Sequence, residues 1–180
     1  MIKGVEKVKS VLLSIKPEYC KLIASGQKTI EVRKTRPRIE TPFKCYIYCT
    51  KDNTDICPKR IWWKADETGF QHIMNGKVIG EFMCDTIFPI AITYSDIKSR
   101  IALKEFPFTG LTDKQILDYL GNGKQGYGWH ISDLKIYDRP KKLSEYSNRS
   151  SVFTFSKSGN LVYTGMTRPP QSWCYVEDKI

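Results

Sequence analysis

Long apolar runs are missing from this chain. No stretch of its 180 residues approaches the roughly 20 apolar residues that a membrane-spanning helix needs. The opening MIKGVEKVKSVLLSIK also lacks the apolar centre of a secretory leader. Neither a membrane span nor a signal peptide is expected, and the reading is of a cytoplasmic protein. Histidine is scarce as well: His72 and His130 are the only two. With no G-x-S-x-G elbow in the chain, a Ser/His/Asp or Cys/His nucleophile has little to be built from. His130 follows Trp129 at the start of a strand, so it should face away from whatever Trp129 faces, as an ordinary strand histidine. Internal repeats and low-complexity tracts are absent, which leaves one globular domain, with or without an appendage, as the expected organisation.

What is present fits that class. Hydrophobic residues make up 41% and charged residues 27%, enough of each for a core and a solvated surface. The six cysteines suit a reducing compartment, as structural thiols. Cys45, Cys49 and Cys57, with His72 further on, invite a metal reading, but zinc ligands usually arrive as closely spaced pairs from tight turns. Cys45 and Cys49 instead share one face of a strand, about 13 Å apart at ~3.3 Å per residue. Buried cysteine is the expected role, and no metal or cofactor is expected. GNGKQG (121–126) matches G-x-G-x-x-G letter for letter. A dinucleotide fingerprint must follow a strand and open a helix. Here it follows a helix and opens a strand, so Gly121 is read as a helix stop and the cofactor reading is rejected.

Charge is the most uneven property. The net charge is +10, yet residues 1–60 alone hold 14 Lys and Arg against 6 acids. Residues 61–120 hold 6 against 8, and residues 121–180 hold 9 against 5. A basic N-terminal third points to an anionic partner, with nucleic acid the first candidate.

Periodicity places the elements. VLLSI (11–15) reads as a compact strand, and Pro17 then suits the first turn of a helix. Tyr19, Leu22 and Ile23 share a helical stripe that Gly26 stops. KTIEVRK alternates as a strand, and FKCYIYCT (43–50) alternates again. Lys51 to Gly76 reads as irregular, and KVIGEFMCDTIFPIAI as one long strand. Thr112 and Gln115 form a capping-box signature ahead of Ile116, Leu117 and Leu120. WHISDLKIY, a hairpin turning at Ser158, Gly159 and Asn160, and SWCYVE complete the strands. Several strands, two clear helices and no regular βαβ alternation predict an α+β, mostly β barrel carrying helices between its strands.

The stretch GQKTIEVR carries the sharpest question. Glu31 and Arg33 project from one side of a strand, and Lys28 sits where the preceding helix turns into it. Such a trio can orient an amide or base edge, supply a general base or nucleophile, or simply tether the strand. Tyr19, Tyr46, Tyr48, Trp62, Trp63, Tyr127, Trp129 and Trp173 interleave with basic residues, as stacking on single-stranded bases requires, although many aromatics must be core. In RIWWK, Trp62 and Trp63 are adjacent and cannot both face one core.

LSIKPEYCKLIASGQKTIEVRK resembles the opening of the ASCH domain, a PUA-like β-barrel family whose signature is a strand, a Pro-led helix and G-x-K-x-x-E-x-R. Those positions are Gly26, Lys28, Glu31 and Arg33. GKVIGEFMCD resembles the family's central barrel strand, and YGWHISDLKIYDRPKKL its late aromatic strand. RPPQSWCYVE is similar to the tails of bacterial and phage-borne members. The resemblance implies a PUA-like β-barrel with helices between its strands over residues 1–145, and a C-terminal hairpin and tail over 146–180. It also implies a cleft between the first helix and the barrel, and RNA or a nucleoside-like ligand as partner. On that reading Lys16, Arg33, Lys34, Arg36 and Arg38 meet phosphates. A base enters beside Tyr19 and Trp129, above Lys28 and Glu31. Some members hydrolyse acylated cytidine with a Lys, a Thr and a Glu. Lys28 matches the Lys, Glu31 occupies the Thr position, and Glu105 is the candidate for the Glu. Others are reported as ribonucleases. If the protein is an enzyme, Lys28 and Glu31 are the expected catalytic pair.

Overall fold

A computed structural model describes residues 9–51, 62–65, 71–91, 93, 108–148, 153–163 and 165–177. They are mostly strand, with two helices of at least two turns, as the composition of elements predicts. In chain order the elements are β1 (Lys9–Ile15), α1 (Pro17–Ala24), β2 (Ile30–Arg33), β3 (Phe43–Cys49), β4 (Trp62–Ala65), β5 (Gln71–Ile73), β6 (Lys77–Cys84) and β7 (Ile87–Ala91). There follow α2 (Asp113–Leu120), β8 (Gln125–His130), β9 (Ser132–Lys142), a single 3-10 turn, β10 (Phe153–Phe155), β11 (Leu161–Tyr163) and β12 (Trp173–Glu177). No helix among the described residues is long and apolar enough to cross a membrane.

The chain forms two compact units, each assembled from separate stretches. One comprises Met1–Pro17, Lys44–Glu81 and Lys135–Ile180. β1 lies inside its five-stranded sheet, of order β12-β1-β3-β6-β9, parallel to β3 and antiparallel to β12. That position explains why KSVLLSI is apolar on both faces and buried along all but its first residue. Leu12, Tyr46, Tyr48, Val78, Tyr137, Tyr146 and Val176 pack as one core, with the Tyr46 and Tyr146 rings edge to face at 4.8 Å. Residues on both sides of the boundary expected at 145/146 belong to this unit.

The other unit comprises Glu18–Phe43 and Phe82–Leu134. Its sheet has the order β2-β8-β7, antiparallel throughout. Pro17 opens α1, and Gly26, at φ 75°, takes the left-handed turn that ends it. The capping box forms as its sequence predicts: Gln115 N–H donates to Thr112 Oγ1, and Thr112 N–H donates to Gln115 Oε1 at 2.8 Å. Ile116, Leu117 and Leu120 of α2 then bury against Val32 and Ile90. Each such side chain contributes about 1.5–3 kcal/mol. The pairing register sets Ile30, Val32, Phe88, Ile90 and His130 on one face of this sheet. Glu31, Arg33, Ile87, Pro89, Tyr127 and Trp129 lie on the other.

Three sequence expectations are corrected. The sheets do not close into a β-barrel: the five-stranded order ends openly at β12 and β9, and β2, β8 and β7 pair separately. Closure requires the first and last strands of one sheet to meet. The single long strand expected across 77–92 is two strands in different sheets. It breaks at Asp85 and Thr86, whose side chain and carbonyl bond to His130. Finally, part of the stretch expected to be irregular pairs, β4 against β5. Cys57 and Glu105 lie outside the described residues.

Candidate functional site

Lys28 reaches the site from the turn after α1, where its N–H donates to Leu22 O at 3.0 Å. Glu31 and Arg33 reach it from β2, two residues apart and hence on one face. The three side chains meet in the interior. Arg33 Nη2 lies 2.9 Å from Glu31 Oε1, and Lys28 Nζ lies 3.2 Å from Glu31 Oε2. Lys28 is 2% exposed, Arg33 5% and Glu31 7%. β2 is therefore buried along its whole length rather than half-solvated. Removing an ion from water costs several kcal/mol, which only close opposite charges and hydrogen bonds offset.

Lys28 is also hydrogen-bonded to backbone. Its Nζ donates to Ile30 O at 2.8 Å and to Thr109 O at 2.5 Å. An ammonium has three donors. Two are thus spent on carbonyls, and the third direction leads to Glu31 Oε2, a charge contact that lacks hydrogen-bond alignment. Thr29 and Ile30 N–H both donate to Phe108 O, so the turn Phe108–Gly110 is laced over the start of β2. Gly110 has φ 65°, and a Cβ there would lie 2.9 Å from Leu22 Cδ1 and 3.5 Å from Lys28 Cδ. Lys28 lies under this turn, not on an open floor.

The aromatic residues divide. Tyr19 of α1 is half-buried, with its ring centroid 5.6 Å from Lys28 Nζ, within cation–π range. Burial, then the charges of Glu18 and Glu31, push its phenol above the ordinary value, so the hydroxyl is a proton donor at neutral pH. Trp129 lies opposite Glu31 and is fully buried, edge to face with Phe43 at 5.8 Å, so it offers no solvent face on which a base could stack. Beyond β2 the chain turns outward. Lys34, Arg36 and Arg38 are exposed while Pro37 is buried. Lys34 sits over the Tyr119 ring at 5.1 Å, and Arg36 over the Tyr127 ring at 5.8 Å. The loop from Arg36 to Thr41, with Ile87 of β7, surrounds a pocket of about 550 Å³. Lys16 is exposed and belongs to the other unit.

Sequence reasoning missed Thr109, whose backbone carbonyl rather than side chain takes part, and Tyr119, Glu40, Thr41 and Ile87. It also missed the partner of His130. Asp85 Oδ1 lies 2.7 Å from His130 Nδ1, 45 residues away in the chain, and nothing local marks that pairing. Burial opposes the charged form of Asp85, but the hydrogen bond and charge of His130 outweigh it and hold the carboxyl below its ordinary value. Neighbouring Cys84 is fully buried; burial, then Asp85, pushes its thiol up to about 12, which makes it a poor nucleophile. Cys45 and Cys49 are buried, unbridged thiols of β3.

Both the motif and the fold have counterparts among known proteins. The ASCH domain model matches residues 13–61, which include all four G-x-K-x-x-E-x-R positions. The crystal structure of an ASCH protein from Zymomonas mobilis superposes with a TM-score of 0.57 at 20% identity, covering 92% of this chain and 86% of that one. A Tyr-to-Phe variant of that protein gives 0.56 at 19%, covering 92% and 88%. A Ser-to-Ala variant gives 0.57 at 20%, covering 95% and 90%. No curated protein matches the chain. The chain therefore carries an ASCH domain segment on the fold of ASCH proteins, as its opening motif led one to expect.

Proposed function

We propose that the protein is an RNA-binding module whose contact surface is the basic segment following β2. The ASCH family is generally regarded as binding RNA. The observation that carries the reading is local. The motif charges Lys28, Glu31 and Arg33 are spent on one another and on backbone, while Lys34, Arg36 and Arg38 are presented to solvent directly after them. The buried trio fixes the end of β2; the exposed cations meet phosphates. Tyr119 and Tyr127 lie beneath two of those cations and hold them in place by cation–π contact. The unbridged thiols among the described residues fit a reducing compartment, the cytoplasm.

The test is fluorescence anisotropy with a labelled single-stranded RNA over a range of salt, with every sample run afterwards on a denaturing gel. Affinity should fall with log–log slope of about −0.7 per phosphate neutralised. Lys34→Gln with Arg36→Gln should weaken binding and flatten the slope. Affinity that hardly changes with salt would sink the reading. RNA cleaved by the wild type, and left intact by Lys28→Ala, would replace it with a ribonuclease.

A further inference from the structure

The pocket behind the exposed cations has a composition of its own. We propose that it holds one nucleotide of a single-stranded RNA, with the phosphodiester on Arg36 and Arg38 and the ribose against Glu40. This rests on the RNA-binding reading above and names the ligand of that surface. At about 550 Å³ the pocket falls within the roughly 300–1,000 Å³ of small-ligand sites. Its lining supplies two guanidinium groups and one carboxylate, a net single positive charge. That balances one phosphodiester, whereas a di- or triphosphate would set further negative charge beside Glu40. Arg36 is already held over Tyr127, and a planar guanidinium so held presents its fork to a phosphate at less entropic cost than a lysine.

The remaining lining suits a nucleoside. Pro37 and Ile87 give an apolar wall for a base face. Ile87 lies opposite Trp129, which lies opposite Glu31, so the wall is fixed by the same sheet that carries the buried ion cluster. Thr41 adds a hydroxyl that can donate to a phosphate oxygen. Glu40 only accepts, and the ribose 2′-hydroxyl is the donor that DNA lacks. The pocket therefore favours RNA over DNA.

The experiment compares a short labelled RNA with the DNA of the same sequence, by anisotropy on the full chain. Four variants are used: Arg36→Gln/Arg38→Gln, Arg36→Lys/Arg38→Lys, Glu40→Ala, and Lys157→Gln/Arg168→Gln, which loses the same charge from exposed sites outside the pocket lining. Neutralising the pocket arginines should cost about tenfold or more in RNA affinity. It should also flatten the salt slope by about 0.7. The pair outside the lining should cost clearly less, and Glu40→Ala should narrow the RNA-to-DNA ratio. Arg36→Lys/Arg38→Lys, which keeps the charge and loses the fork, should fall between wild type and the glutamine pair. If wild type binds RNA and the pocket pair behaves like the pair outside the lining, the pocket assignment is overturned and the RNA-binding reading stands. An unchanged RNA-to-DNA ratio in Glu40→Ala overturns the ribose contact. If wild type binds no RNA, both fall.

Discussion

Glu31→Gln is the sharpest perturbation the site allows. The amide keeps the size and shape of the carboxylate but removes its charge and turns one acceptor oxygen into a donor NH2 group. Lys28 and Arg33 then face each other at 2% and 5% exposure without the anion between them. Removing one member of a buried pair costs about 3–5 kcal/mol, because a desolvated charge is left behind. The value here should sit near the lower end. Lys28 keeps its bonds to Ile30 O and Thr109 O, and a glutamine oxygen can still accept from Arg33 at the Oε1 position, now 2.9 Å away. About 3 kcal/mol is expected, read as a shift in the urea midpoint at constant slope. The loss should also be visible locally, as weakened hydrogen-exchange protection at Thr29 and Ile30, whose N–H groups bond to Phe108 O. Adding Lys28→Met should restore part of the stability, with a coupling of about 1–3 kcal/mol, since the charge left unpaired is then gone. A Glu31→Gln cost below about 1 kcal/mol would place the trio with exposed ion pairs and refute the argument from burial.

Other outcomes can be checked on the same protein. Gly110→Ala forces a side chain into φ 65° and against Leu22, and should cost about 1–2 kcal/mol in urea unfolding; no change would show that the Phe108–Gly110 turn can readjust freely. Asp85 has its carboxyl lowered from 3.8 in the fold, so its pairing with His130 contributes stability above the ordinary carboxylate range and loses it as pH falls through the lowered value. Because the pair is about two-fifths exposed, Asp85→Asn should cost no more than about 1 kcal/mol at neutral pH, with the difference from wild type vanishing in acid; a difference that grows on acidification would reverse the sign argued here. Cys84, buried with its thiol pushed up to about 12, should resist alkylation in the native protein and react once unfolded, as read by mass spectrometry; rapid native labelling would contradict its burial.

Much of the local structure was legible because its causes are local. Pro17 and Gly26 bracket α1, Thr112 and Gln115 cap α2, and each signal acts within a turn of helix. The adjacency of Glu31 and Arg33 was equally legible, since residues two apart on a strand must share a face. Periodicity could not say which medium that face meets. The same alternation serves a solvated edge or an interior, and only the packing of β2 beside β8, with Phe108–Gly110 above Lys28, turned surface-like charges into a buried cluster. For the same reason Trp129, expected beside a base, proved to be interior, whereas Tyr127, two residues earlier on the same face, lies beneath exposed Arg36. The break at Asp85, the pairing of β4 with β5 and the failure of the sheets to close depend on partners tens of residues away, where no local preference operates. By itself the sequence determined the two helices, most of the strands, the charge imbalance and the motif. The tertiary structure decided which of those charges are neutralised inside the molecule and which are exposed, because burial, not residue type, decides whether a charge is spent within the fold or faces solvent.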